Sequence, residues 1–166
     1  MTTIQYQGTY FSIRRDASGS DYVASTGDEV LIVPLTAAND VILTTEPAPA
    51  FGEPALILPG GETAPNRPYA ATANLELQEE IGFKAGQLDY LGELRPWSKY
   101  LAVRSFVYLA RDLTASSLPG DETYEIGIER VPLATFEDLI TQGRLLDARV
   151  IAALFLARRF LAALGE

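Results

Sequence analysis

Glu76, Glu79 and Glu80 stand at i, i+3 and i+4, with Ile81 and Gly82 directly after them. At about 100° per residue the three carboxylates fall on one face of a helix. Like charges at those spacings repel by a few tenths of a kcal/mol per exposed pair. A cation resting on the cluster removes that cost, and hard oxygen donors of this kind suit Mg²⁺ or Mn²⁺. A solvated acidic helix face is the other reading, and a Glu-x-x-Glu-Glu run alone does not separate the two. The chain contains no His and no Cys. That excludes a cysteine nucleophile, a disulfide, a Ser-His-Asp relay and a zinc site built on His or Cys. Any general base must be a carboxylate, Lys, Tyr or a metal-bound hydroxide.

The flanks predict the helix that would carry the cluster. Pro68 suits the first helical position, with Asn66 or Arg67 as the N-cap, and Gly82 suits the left-handed residue that ends a helix. Ala70, Ala73, Leu77 and Ile81 form an apolar stripe offset from the carboxylates. Short strands are expected at 10–13, at the strongly apolar run 30–35, at 41–45 and at 55–58. The turn at Asn39-Asp40 suggests that the second and third of these form a hairpin, and the Pro-rich stretch 46–54 reads as a loop. Further strands are expected at 87–95, 103–111 and 126–133, with 112–124 as a loop. Helices are expected at 134–142, stopped by Gly143, and at 147–164, where Val150, Ile151, Leu154, Phe155, Leu156, Phe160 and Leu161 are core candidates. Strands interleaved with one central and two late helices predict an α/β sandwich.

The stretch from Gly61 to Phe83 resembles the Nudix box: Gly, five residues, Glu, seven residues, then Arg-Glu-aliphatic-any-Glu-Glu-any-Gly-aliphatic. Here Gly61, Arg67, Leu75-Glu76-Leu77-Gln78-Glu79-Glu80-Ile81-Gly82-Phe83 keep that register, and Leu58-Pro59-Gly60-Gly61 is similar to the family's entry from strand to loop. Two positions depart. Arg67 stands at the box Glu and Leu75 at the box Arg, a pair that in the family braces loop against helix. Both ends are lost together, so neither charge is left alone. Weaker similarity, to the ADP-ribose pyrophosphatases and related ADP-compound hydrolases, runs over residues 28–164. It includes the segments 118–122, 131–133, 143–148 and 151–155.

The resemblance implies a Nudix-type α/β/α sandwich with a mixed central sheet, as a single domain over 1–166: N-terminal strands within 1–27, the box at 61–83, a C-terminal helix at 147–164. It implies metal-dependent hydrolysis of a nucleoside diphosphate linked to another moiety X, with ADP-ribose or a similar ADP compound leading. Glu76 and Glu80 would be direct metal ligands, Glu79 a ligand or a group acting through water, and the backbone carbonyl of Gly60 a further ligand. Glu122 or Glu125 would take the place of the family's loop carboxylate that binds metal or activates water; a charged surface loop is the alternative. Arg104 is a candidate for a bidentate diphosphate contact, with a cross-strand ion pair as the alternative. Phe51, Trp97 and Tyr100 are candidates for stacking on a base, with packing as the alternative. Thr44-Thr45-Glu46 stands where the family commonly has Gln-any-Arg. A homodimer joined by N-terminal strands is expected from the relatives. A nucleotide-binding module with weak turnover, suggested by Arg67 and Leu75, and a plain acidic scaffold are the competing readings.

Size and charge narrow the classes of partner. The 166 residues, with eight Tyr and seven Phe, suffice for one folded core. The net charge of −9 argues against a nucleic-acid backbone as partner. No apolar run reaches the roughly 18 residues of a membrane span, and the first residues lack the pattern of a secretory signal, so a cytoplasmic location is expected.

Overall fold

The apolar run at 30–35 is continuous because its strand is covered on both faces. In the computed structural model, which describes residues 1–120 and 122–165 (Asp121 and Glu166 lie outside the described residues), this strand is β4 (Glu29–Pro34). Val30 and Ile32 point to one core, with Ala73, Leu77 and Ile81 of helix α1 (Tyr69–Glu80) and its C-cap. Leu31 and Val33 point to the other, with Val150, Ala153, Leu154, Ala157 and Leu161 of helix α3 (Ala148–Leu164). The two-residue alternation of one strand therefore fills both layers of an α/β/α sandwich, and the fold is the mixed α/β type expected.

The mixed central sheet has the order β7-β4-β10-β8, with β7 at Gly60–Glu62, β8 at Phe83–Leu94 and β10 at Ser105–Ala115. β4 and β10 run parallel, and the outer pairings are antiparallel. A second, antiparallel sheet has the order β11-β5-β6: β11 (Gly127–Pro132), β5 (Asp40–Ala48) and β6 (Glu53–Ile57). A third is formed by β1 (Thr3–Gln7), β2 (Phe11–Arg15), β3 (Asp21–Ser25) and the two-residue β9 (Leu101–Ala102). The short helix α2 (Glu137–Thr141) ends at Gly143, which has a φ of 70°.

Three expectations need correction. The strands at 30–35 and 41–45 turn at Asn39, as expected, but do not form a hairpin. They share one bridge, Leu35 with Val41, and then diverge into different sheets, because both edges of β4 are already filled by β7 and β10. The Pro-rich stretch is partly strand: β5 continues to Ala48 and β6 begins at Glu53, with Pro47 opposite Pro54. Pairing with β11 ends at Thr45, so the prolines fall where no ladder N–H is needed. Finally, β10 continues past 111 to Ala115. Asp112, with a φ of 54°, interrupts the alternation, yet pairing with β8 resumes at Leu113.

Candidate active site

Helix α1 begins one residue later than its sequence suggested. Pro68 is the N-cap, and its carbonyl accepts from the N–H groups of Ala71 and Thr72. At the other end Gly82 takes the left-handed conformation with a φ of 72°, as expected. Between these stops, Glu76, Glu79 and Glu80 of the last two turns face an open cavity of about 280 Å³, whose remaining wall is Gly120, Glu122, Tyr124 and Ile126. The loop from β10 to β11 thus brings Glu122 to the box carboxylates. Glu125 is exposed and does not line the cavity.

Glu80 is half-buried at the last residue of the helix. Its Oε2 accepts from the Gly60 N–H at 3.1 Å. Burial, followed by the charges of Glu46 and Glu76, pushes its pKa up to about 9. The strand-to-loop glycines make room for this arrangement. A Cβ on Gly61 would lie 2.6 Å from Glu76 Oε1, and one on Gly60 only 2.2 Å from the Val30 carbonyl oxygen. The site suits a divalent cation. Its donors are hard oxygens, its charge is strongly negative, and the cradle beside Glu76 is kept open by glycine. Among the described residues no three acidic groups already converge as a finished ligand set.

Glu46 was not anticipated as a site residue. It stands on β5 two residues from Thr44, so both side chains share one strand face. Thr44, fully buried, donates to Glu46 Oε1 at 2.8 Å, and the Tyr124 hydroxyl donates to Oε2 at 2.9 Å. The Thr-x-Glu spacing was visible in the sequence, but its partner lies 78 residues away.

The other candidates lie outside the carboxylate cavity. Arg104 holds Asp28, with Nε 2.9 Å from Oδ1, and Tyr69 donates to the same carboxylate at 3.0 Å. This pairing keeps the Asp28 carboxyl below its usual range and ties the starts of β4 and β10 together. Arg104 therefore makes the ion pair that was its alternative reading. Phe51, at the tip between β5 and β6, lines a groove of about 1200 Å³ together with Trp97, Leu101 and Leu146. Tyr100 packs edge-on against Trp97, with ring centroids 5.3 Å apart. Glu46 also borders this groove, so groove and cavity meet at the Glu46–Tyr124 contact. Arg67 is exposed and has no ion pair among the described residues. Glu62, five residues earlier in the box loop, accepts from Thr26.

The comparisons with known proteins define the class. The profile of the NUDIX domain matches residues 26–154, and the chain belongs to that family. Within it, ADP compounds hydrolase NudE of Escherichia coli (strain K12) is 34% identical over 139 residues, spanning 84% of this chain and 74% of that protein. The crystal structure of an ADP compounds hydrolase superposes with a TM-score of 0.86 at 29% identity, over 99% of this chain and 94% of the other. The protein is a Nudix pyrophosphohydrolase.

Proposed function

We propose that this enzyme cleaves the pyrophosphate bond of ADP compounds, ADP-ribose foremost, giving AMP and a phosphorylated X. The observation that carries the reading is the meeting of Glu76, Glu79, Glu80 and Glu122 around one cavity, on the fold shared with the ADP compounds hydrolases. In the reaction a water oxygen bonds to one phosphorus while the bridging P–O bond breaks, and the bridging oxygen departs on the other phosphate. Glu122, on the cavity wall, would accept the water's proton. Glu76 and Glu80, with Glu79 and the Gly60 carbonyl, would hold Mg²⁺ or Mn²⁺, which when bound neutralises charge on the non-bridging oxygens. The adjoining groove, with Phe51 and Trp97 on its walls and Tyr100 behind Trp97, would take the nucleoside.

A homodimer belongs to the same proposal. The third sheet turns Tyr6, Phe11 and Ile13 outward on one face, while Ser12 and Ala24 face inward and are buried. The test of substrate is AMP release from ADP-ribose, an ADP-hexose and a dinucleotide, each with Mg²⁺ and with Mn²⁺. Turnover confined to nucleoside triphosphates would overturn the assignment.

A further inference from the structure

The loop between β10 and β11 carries Glu122 but is not part of any sheet, so something other than strand pairing must hold that carboxylate over the cavity. Its first half is stitched to α1. The Ser116 N–H donates to the Gly82 carbonyl at 2.9 Å and its hydroxyl lies 2.8 Å from Gln78 Oε1, while the Leu118 N–H donates to the Gln78 carbonyl at 3.1 Å. Beyond Gly120, which lies against the Glu79 backbone, the Tyr124 hydroxyl ties the loop to β5 by donating to Glu46. Glu122 sits between these two anchors.

We propose that Glu46 and Tyr124 form a latch that holds Glu122 over the carboxylate cavity, a role that rests on reading the cavity as the reaction site. Glu46 is built as a fixed acceptor. Thr44 sets one of its oxygens from the buried side, leaving the other aimed at the loop. Tyr124 is built as a permanent donor. Burial and the carboxylates of Glu46 and Glu122 hold its phenol well above the ordinary range, so it keeps its proton. One hydroxyl proton serves one acceptor at a time. Given to Glu46, it leaves the lone pairs of Glu122 to a water molecule. Glu46 and Tyr124 are thus positioning residues: they act through Glu122 rather than on the reacting atoms.

The test pairs hydrogen exchange with kinetics on the full chain. Tyr124→Phe and Glu46→Leu each open the latch, and exchange in peptides spanning residues 116–126 should rise in both while the rest of the chain is unchanged. With ADP-ribose and Mg²⁺, kcat should fall about tenfold to a hundredfold with KM nearly constant, the signature of a misplaced group. The double variant should be no worse than either single one, because both remove the same bond. Glu46→Gln keeps an acceptor for the phenol and should lose only a few-fold in kcat, with exchange close to wild type. Unchanged loop exchange in Tyr124→Phe and Glu46→Leu overturns the latch. So does raised exchange with wild-type kcat, or a Glu46→Gln enzyme as slow as Glu46→Leu despite a protected loop, since that would make the charge of Glu46 the working feature. A wild type that turns over no ADP compound would instead sink the proposed function, and the exchange comparison would still decide the latch.

Discussion

Glu80 combines two features that pull against each other: a site that would stabilise a cation, and a carboxyl held protonated by burial and neighbouring charge. Replacing Glu76 or Glu80 by Gln should remove most of the activity and most of the melting-temperature gain that Mg²⁺ gives the wild type. The pH dependence follows from the raised pKa. Between 4.5, the ordinary value for this group, and about 9, the folded protein keeps a proton that the unfolded chain has released. Metal-free stability from this group is therefore greatest at or below the lower limit, falls as pH rises through the window, and levels off above the upper limit. Glu80→Gln should flatten that slope, and the gain on adding Mg²⁺ to wild type should grow with pH over the same window. Melting curves at a series of pH values check both; parallel curves for wild type and Glu80→Gln would refute the assignment. The two loop acids separate as cleanly. Glu122 lines the cavity and Glu125 does not, so Glu122→Gln should lower kcat roughly a hundredfold with little change in KM. Steady-state kinetics should find Glu125→Gln mild, and the reverse pattern would move the role to Glu125.

The box loop, strand β7 and helix α1 form one device, and its two glycines make different demands. A Cβ on Gly60 meets backbone, the Val30 carbonyl 2.2 Å away, so Gly60→Ala must push β7 off β4 and should cost on the order of 3 kcal/mol in urea unfolding. A Cβ on Gly61 first meets the tip of Glu76, which can swing aside. Gly61→Ala should therefore remain nearly as stable as wild type yet lose activity by displacing a carboxylate. Equal stability losses in the two variants would show that this distinction is wrong. The device was legible in the sequence because its signals are local: a proline at one end of the helix, a glycine at the other, carboxylates at helical spacing between. The extent of β5 and β10 was less legible. Pro47 and Asp112 look like breaks, and only the partner strands show that neither position needs the hydrogen bond or the alternation it lacks. The Glu46–Tyr124 contact was hidden for a related reason, since neither residue signals the other across 78 positions.

At the scale of the whole molecule, sequence adjacency failed as a guide to pairing in the central sheet, where no two consecutive strands are partners. β4 and β5 are neighbours in the chain but belong to different sheets, whereas β4 lies beside β10, which begins more than 70 residues later. The N-terminal strands form their own sheet and attach through β9, where Val23 and Ala24 pair with Leu101 and Ala102. That sheet leaves Tyr6 63% exposed and Phe11 50% exposed on its outward face. A contiguous apolar surface on a monomer is costly, and a second copy covering it needs roughly 800 Å² per partner for a stable interface. Wild type should therefore sediment at twice the 18.0 kDa chain mass at micromolar concentration. Tyr6→Lys combined with Ile13→Glu should return it to the single-chain mass. Both side chains lie outside the two cores, so the variant should keep its fold and much of its cooperative melting. A wild type that sediments as one chain, or a double variant that remains a dimer, would show that this face is not where two copies meet.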